Sequence, residues 1–273
     1  WIGIADDLGV QYVGGRIGAA RGPEAFKKQW ARLKADPRVQ KACVAHTILD
    51  QPLPFLISIE ERYVLAIQEI KKIHDQSGLS VVIGAGHDHG YSQLAALKGK
   101  KSLGCINIDA HLDLRPSKPH PTSGSPFYMA IERGVLRPKN LIEFGVQQHC
   151  NSPELWEYAR KKKISIVPFE KVRNGKAVSE FKKALRVLSK QCDQIVVSLD
   201  LDGLSEAFAP GVSAPQAQGF SSDEVLEMLE VAGANPKVIS LGIFELNPLH
   251  DREDQTARLA ALSAWTFVSS ALT

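Results

Sequence analysis

Short, continuously apolar segments alternate along this chain with longer segments in which apolar residues recur every three or four positions. The first kind is typical of buried β-strands and the second of amphipathic helices. The pattern predicts strands at 1–5, 42–49, 79–83, 102–108, 141–146, 164–168, 194–200 and 238–244. It predicts helices at 23–34, 58–75, 90–98, 125–134, 153–163, 177–190, 222–233 and 254–270. Apolar strands that alternate with helices indicate an α/β fold with three layers, α/β/α, around a central, mostly parallel sheet.

The chain has no internal repeat and no low-complexity linker, and its 273 residues are enough for one large α/β domain. We therefore expect a single domain over 1–273. With 44% hydrophobic and 23% charged residues, the composition is that of an ordinary globular protein. Because 33 basic residues are interspersed with 30 acidic ones, the net charge of +3 gives no reason to expect a nucleic-acid partner.

The sequence contains no stretch of about 18 apolar residues, so it predicts no transmembrane helix and no membrane partner. Its cysteines occur without any CxxC pairing, at Cys43, Cys105, Cys150 and Cys192. The first two lie in apolar, strand-like segments, where a thiol is usually a small core residue. The expected setting is a reduced, cytoplasmic one without disulfide bonds.

Side chains that bind metals follow four of the predicted strands. They are five carboxylates and two imidazoles: His87; Asp109, His111 and Asp113; Asp200 and Asp202; and Glu245. On an extended backbone, side chains at positions i, i+2 and i+4 point to the same face, so each group should project together. In open parallel sheets ligands bind beyond the carboxyl ends of the strands, and the groups should converge if their strands are neighbours.

Six of these side chains, all except Glu245, suit two metal ions that share carboxylates. Neighbouring carboxylates repel one another and buried charge is costly, so such a cluster needs a cation. Oxygen donors with one imidazole per metal favour manganese over zinc or copper. Two metals about 3.5–4 Å apart hold a bridging water and generate hydroxide at neutral pH, which predicts a hydrolytic site. Two other interpretations of the residues stay open: a solvated loop after the strand at 102–108, or unrelated helix caps and turns.

Three motifs resemble the metal-binding motifs of the ureohydrolase family, which contains the arginases and agmatinases. They are Gly84-Ala85-Gly86-His87, Asp109-Ala110-His111-Leu112-Asp113 and Ser198-Leu199-Asp200-Leu201-Asp202. The resemblance extends from Gly14-Gly15-Arg16, with Arg21-Gly22-Pro23-Glu24-Ala25, to Phe244-Glu245-Leu246-Asn247-Pro248. It implies an arginase-like α/β/α domain, two manganese ions per subunit, and attack of a metal-bridging hydroxide on the carbon of a guanidinium or amidine.

The resemblance also assigns a role to each side chain of the cluster. It places His87, Asp109, Asp113 and Asp200 on one manganese, and His111, Asp109, Asp200 and Asp202 on the other, so that Asp109 and Asp200 bridge. Asp113 would also accept the hydroxide proton and pass it to the leaving nitrogen, as a general acid–base. Glu245 matches the family carboxylate that pairs with the amidinium of the substrate, where it orients and stabilises the cation.

Within that family, several details resemble the formimidoylglutamase branch. Glycine precedes histidine in Gly86-His87, and the third motif continues as Gly203-Leu204-Ser205-Glu206 without the usual Asp-Pro. Asp113-Leu114-Arg115 and Ala209-Pro210-Gly211-Val212-Ser213-Ala214-Pro215 also resemble that branch. The implied reaction cleaves the C–N bond of N-formimidoyl-L-glutamate to glutamate and formamide, in histidine degradation. Two alternatives stay open: an agmatinase, arginase or other guanidino-acid ureohydrolase that releases urea, and an inactive homologue with a binding or scaffold role.

A substrate with one amidine and two carboxylates requires cationic anchors. Arg115 is the first candidate for a carboxylate clamp because guanidinium binds carboxylate through two parallel hydrogen bonds. Arg16 and Arg21 in the N-terminal loop are weaker candidates. His149 and Asn151 follow the strand at 141–146 and are predicted to approach the substrate. The family resemblance also implies a homo-oligomer, either a trimer or a hexamer.

Overall fold

An eight-stranded sheet, parallel at every pairing described, forms the centre of the fold. The computed structural model describes residues 1–39, 47–49, 58–99 and 101–273. The strands are β1 (Ile2–Ile4), β2 (Thr47–Leu49), β3 (Ser80–Ile83), β4 (Leu103–Ile108), β5 (Leu141–Val146), β6 (Ser165–Pro168), β7 (Gln194–Asp200) and β8 (Val238–Phe244). Their order across the sheet is β2-β1-β3-β8-β7-β4-β5-β6. The predicted α/β fold with a parallel sheet is confirmed.

Helices cover both faces of the sheet. They are α1 (Leu8–Val13), α2 (Gly22–Trp30), α3 (Ile59–Ser77), α4 (His89–Ala96), α5 (Pro126–Glu132), α6 (Pro153–Lys162), α7 (Phe169–Val172), α8 (Ala177–Gln191), α9 (Ser222–Gly233) and α10 (Gln255–Leu272). Helices α2, α8, α9 and α10 share one apolar core with the strands, and α3, α4, α5 and α6 share the core on the opposite face. No helix in the described part of the chain is long and apolar enough to cross a membrane.

Alternation along the central strands explains why both faces are covered. In β4, Ile106 and Ile108 belong to one core whereas Cys105 belongs to the other. In β7, Val197 belongs to the same core as Ile106, and Val196 belongs to the same core as Cys105. Because successive strand side chains point to opposite faces, a strand that is apolar at every position buries apolar surface on both.

Most predicted elements occur within a few residues of their predicted ends, and two helices in the described part of the chain were not predicted. The strands at 141–146, 194–200 and 238–244 and the helix at 222–233 match residue for residue. Helix α2 ends at Trp30 rather than at 34, because Arg32 and Leu33 donate hydrogen bonds three residues back and tighten the chain into turns. The short helices α1 and α7 have too few residues to show a helical period.

The predicted strand at 42–49 is described only from Thr47 to Leu49, and Cys43 lies outside the described residues. The three described cysteines are free thiols, and two of them, Cys105 and Cys192, are buried.

Helices α3 and α9 begin at capping boxes, in which the side chains of Ser58 and Ser221 accept a hydrogen bond from the backbone N–H three residues later.

Candidate metal centre

The four strands that precede the predicted metal-binding side chains are neighbours in the order β3-β8-β7-β4. Their carboxyl ends therefore meet at one edge of the sheet, and the side chains after them lie within contact of one another. Six of them form two groups of potential ligand atoms: His87, Asp109, Asp113 and Asp200 in one, and Asp109, His111 and Asp202 in the other.

The first group surrounds the Nδ1 atom of His87. This nitrogen lies 2.9 Å from Asp113 Oδ2, 3.0 Å from Asp200 Oδ2 and 3.3 Å from Asp109 Oδ2. All four side chains are buried. Three carboxylates around one buried imidazole form a site with a strong preference for positive charge.

The second group surrounds the Nδ1 atom of His111, which lies 3.1 Å from Asp202 Oδ2 and 3.4 Å from Asp109 Oδ1. Asp109 thus contributes one oxygen to each group, the arrangement required of a bridging carboxylate. Asp200 belongs to the first group only, and its Oδ1 accepts a hydrogen bond from the Asp202 N–H at 2.8 Å.

The predicted extended backbone after β4 and β7 is wrong. The chain bends at residues 109–111, and Asp113 has a left-handed φ of +47°. Asp202 lies in a 3₁₀ turn that covers Leu201–Gly203. The side chains meet because these turns aim them at one another, and a fully extended chain would have carried Asp113 past the site.

The charges of the cluster do not balance without added cations. Burial lowers the pKa of His87, but the three aspartates that surround its Nδ1 atom outweigh this effect and raise that pKa well above its usual range. Burial raises the pKa of Asp200, and the charges of Asp202 and Asp109 raise it further. Burial likewise raises the pKa of Asp202 to about 6, against the opposing effect of His111. Each of these pKa shifts indicates that the pocket favours bound positive charge.

Glu245 lies at the end of β8 beside the first group. Its Oε1 accepts a hydrogen bond from the His87 N–H at 2.9 Å, and its Oε2 accepts a hydrogen bond from the Ser213 hydroxyl. Glu245 is buried and has a left-handed φ of +64°. Burial raises its pKa to about 8 although both hydrogen bonds act in the other direction.

A cavity of about 200 Å³ opens above the cluster. It is lined by Val13, Gly14, Gly15, His87, His111, Asp113, Arg115, Ser123, Gly124, Asp200, Asp202, Ser213, Ala214 and Glu245. Among these described lining residues, Arg115 is the one with a permanent positive charge. An anion on a ligand that reaches the cluster would therefore meet Arg115.

The other predicted substrate residues lie elsewhere. The guanidinium of Arg16 donates hydrogen bonds to the backbone carbonyls of Val212 and Ser213, and Arg21 is exposed. His149 is exposed and does not line the cavity in the described structure.

Asn151 holds the backbone of the Asp109 motif. Its side-chain oxygen accepts from the Leu112 N–H at 2.8 Å, and its nitrogen donates to the Ala110 carbonyl at 3.1 Å. The segment after β5 therefore supports the bend at residues 109–111 through this side chain.

Sequence reasoning missed two buried polar residues behind the cluster. Asn107 Nδ2 donates to Asp109 Oδ2 at 3.1 Å and to Glu143 Oε2 at 2.9 Å. Asn107 and Glu143 are direct partners across β4 and β5, and both are fully buried. Their signal in the sequence was a polar residue within each of two otherwise apolar strands.

A second buried polar cluster carries its own cation. Arg62 Nη1 lies 2.6 Å from Asp6 Oδ1, and His89 Nε2 lies 3.1 Å from Asp6 Oδ2. The hydroxyl of Tyr63 donates to Asp88 Oδ2 at 3.0 Å. Since Arg62 already neutralises Asp6, this cluster needs no metal to balance that charge.

The sequence model of the arginase family matches residues 2–269. The chain belongs to the arginase family. One relative, a formimidoylglutamase of Staphylococcus carnosus, is 30% identical over 270 residues, which are 98% of this chain and 84% of the relative. The predicted family is confirmed.

Solved structures of arginase-family proteins have the same fold. A formiminoglutamase of Trypanosoma cruzi, crystallised with Mn²⁺, superposes with a TM-score of 0.87 at 28% identity, covering 100% of this chain and 92% of that one. A formimidoylglutamase of Bacillus subtilis superposes with a TM-score of 0.89 at 23% identity, covering 98% of this chain and 85% of that one. The second likeness concerns the fold alone.

The donors present fit the metal that accompanies the Trypanosoma cruzi relative. His87 Nδ1 and Asp202 Oδ1 are buried without a hydrogen-bond partner among the described residues, although buried polar atoms are nearly always satisfied. Carboxylate oxygens with one imidazole in each group are a donor set suited to Mn²⁺.

Proposed function

We propose that this arginase-family chain is a binuclear manganese hydrolase that cleaves N-formimidoyl-L-glutamate to glutamate and formamide. The observation that carries the proposal is the pair of His/Asp groups that share Asp109, all buried except the half-buried His111, beneath a cavity that also contains Glu245 and Arg115. The curated relatives that are 30–32% identical over nearly the whole chain and bear the name formimidoylglutamase support it.

In this proposal His87, Asp109, Asp113 and Asp200 hold one Mn²⁺, and Asp109, His111 and Asp202 hold the other, with Asp200 shared. When bound, the two ions would activate water for attack on the amidine carbon. The six ligands lie at or just beyond the carboxyl ends of β3, β7 and β4, which belong to one sheet with β8 between β3 and β7.

Three of the side chains that line the cavity would act on the substrate itself. Glu245 pairs with the amidinium, because a carboxylate beside a planar cation both orients and stabilises it. Asp113 takes up the proton released from water and delivers it to the leaving nitrogen, a role suited to a carboxyl whose pKa is raised by burial and by Asp109. Arg115 binds a substrate carboxylate through its guanidinium, and His149 stays a predicted substrate residue.

The experiment that tests the proposal compares products. The protein loaded with Mn²⁺ is incubated with N-formimidoyl-L-glutamate and, separately, with agmatine, guanidinobutyrate and arginine, and formamide, glutamate and urea are measured. We expect formamide and glutamate in equal amounts from the first substrate. Urea from the guanidino compounds, with no formamide, would assign the chain to the urea-releasing branch instead.

An Asp109→Asn variant is the matched control, because it removes one carboxylate charge and keeps the shape of the side chain. We expect this variant to lose bound manganese and turnover together, since Asp109 contributes to both groups. A wild-type protein that turns over none of these compounds would support the alternative of an inactive homologue.

We also propose that the chain acts in the cytoplasm and forms a trimer or hexamer. The free cysteines and the resemblance to the arginase family support these two expectations. Size-exclusion chromatography with light scattering tests the oligomeric state, and a monomeric mass would refute it.

A further inference from the structure

Ser213 lies in the loop between β7 and α9, lines the cavity and is half-buried. Its hydroxyl donates a hydrogen bond to Glu245 Oε2, while the backbone N–H of His87 donates to Oε1. Each oxygen of Glu245 thus has one donor from a different loop. A carboxylate has about four acceptor sites, so one site on each oxygen stays free to pair with an amidinium.

Arg16 fixes the position of Ser213 from the other side. Arg16 Nε donates to the Ser213 carbonyl at 3.1 Å, and its Nη2 donates to the Val212 carbonyl. The guanidinium of Arg16 thus binds the backbone carbonyls of the 212–213 segment. The loop that carries Ser213 therefore depends on Arg16 for its distance from Glu245.

Asn247 completes the connection between the three segments. Its side-chain nitrogen donates to the carbonyls of Arg16 and Ile17 at 2.9 and 3.1 Å. Its backbone N–H donates to the Gly211 carbonyl at 2.7 Å. Because Asn247 is fully buried and stands two residues after Glu245, the segments 16–17, 211–213 and 245–247 form one closed hydrogen-bonded ring.

We propose that Ser213 is a positioning residue for Glu245, and that Arg16 acts on the substrate only through Ser213. The inference rests on the proposed function, in which Glu245 pairs with the amidinium. It replaces the sequence-based hypothesis that Arg16 binds a substrate carboxylate. Without the Ser213 hydroxyl, Glu245 keeps a single fixed oxygen and can rotate away from the plane in which an amidinium is bound.

The test uses the full chain loaded with Mn²⁺ and the variants Ser213→Ala and Ser213→Thr. Loss of a hydrogen bond to a charged group lowers kcat/KM by roughly 10- to 100-fold, and we expect this for Ser213→Ala with both manganese ions retained. Ser213→Thr keeps a hydroxyl and should recover at least one third of the wild-type value. Ser205→Ala is the matched control, because Ser205 lies in the same loop and donates to the Ala217 carbonyl, away from Glu245.

Double variants distinguish an indirect role of Arg16 from a direct one. If Arg16 acts through Ser213, the kcat/KM of the double variant Arg16→Met/Ser213→Ala should lie within about three-fold of that of Ser213→Ala alone, because the effects of coupled residues are not additive. Multiplied losses would mean that Arg16 contacts the substrate or the cavity independently, and would overturn that part of the proposal.

Binding of formamidinium gives a readout that does not depend on turnover. The C–H proton of formamidinium should broaden in NMR spectra when the cation binds near Mn²⁺ in the wild-type protein, and Ser213→Ala should weaken this binding about ten-fold or more. Equal binding by both proteins would overturn the role of Ser213 while leaving the proposed function intact. A wild-type protein with neither turnover nor binding would refute both.

Discussion

The buried ion pair between Arg62 and Asp6 offers a quantitative test of the structure. Arg62 Nη1 lies 2.6 Å from Asp6 Oδ1, and the two side chains are only 9% and 1% exposed. Burial by itself raises the pKa of Asp6, but the hydrogen bond and charge of His89 and the charge of Arg62 outweigh it and lower that pKa. The substitution Arg62→Met removes the cation and keeps most of the side-chain volume.

The expected loss of unfolding free energy is about 3–5 kcal/mol, because removing one partner leaves a buried charge without compensation. Asp6 would then keep the Leu8 N–H at 3.1 Å and His89 as partners. In a chain of this size that loss corresponds to a fall in melting temperature on the order of 10 °C. Since Asp6 lies two residues before α1, which leads into the cavity residues at 13–15, the variant should also bind substrate less tightly.

The assay is urea unfolding of the Mn²⁺-loaded protein, followed by tryptophan fluorescence. Arg133→Met is the matched control, because Arg133 Nη2 also lies 2.6 Å from a carboxylate, Glu60 Oε1, but the two side chains are 36% and 48% exposed. An exposed pair contributes about 0–1 kcal/mol, so the control should lose much less stability.

The double variant Asp6→Asn/Arg62→Met removes both charges of the pair and should recover at least half of the lost free energy, because Asp6 no longer leaves an uncompensated charge. A loss of unfolding free energy in Arg62→Met no larger than that in Arg133→Met would show that burial does not strengthen the Asp6–Arg62 pair. A double variant as unstable as Arg62→Met alone would show that the uncompensated charge of Asp6 is not the cause of the loss.

Three further predictions follow from other buried contacts. Asn107→Ala removes the side chain that donates to Asp109 and should weaken Mn²⁺ binding about 10- to 100-fold, as measured by competition with a chelator; unchanged affinity would contradict it. Burial raises the pKa of Glu143 well above its usual range, so the folded state retains a proton that the unfolded state releases above about pH 4.3. The unfolding free energy of the wild type should then fall with rising pH relative to that of Glu143→Gln. A difference between the two free energies that stays constant from pH 4 to 7 in urea unfolding would refute this. Gly145→Ala places a Cβ 2.4 Å from a ring carbon of Phe220, at a backbone φ of +95°. This variant should lose at least about 2 kcal/mol more unfolding free energy than Gly134→Ala, whose Cβ meets nothing within 4 Å.

The strands and the six clustered ligands were predictable because each depends on local sequence. A continuous apolar run predicts a strand in a covered sheet, and the rule for parallel sheets then places Asp109 and Asp200 at a common edge. The order β3-β8-β7-β4 was not available from the pattern, since β8 lies between β7, the preceding strand, and β3, which is distant in sequence.

The contacts around the cluster were harder to predict because they join segments far apart in the chain. Ser213 reaches Glu245 across 32 positions, and Arg16 reaches Ser213 across 197. A loop serine or arginine has no periodic signal, so its partner depends on the folded arrangement. The backbone turns at Asp113 and Asp202 were missed for a related reason, because tertiary contacts, including that of Asn151 with Leu112, hold the bend.

The central place of β8 has a consequence for synthesis of the chain. Among the described strands β8 is synthesised last, yet it lies between β3 and β7, so without it the sheet is two separate pieces with exposed edges. The contact of Glu245 with His87 spans 158 positions, and contacts of such high sequence separation form slowly. A nascent chain therefore carries both unprotected edges until residue 244 is free, and His87 can meet Asp109 only after that final insertion.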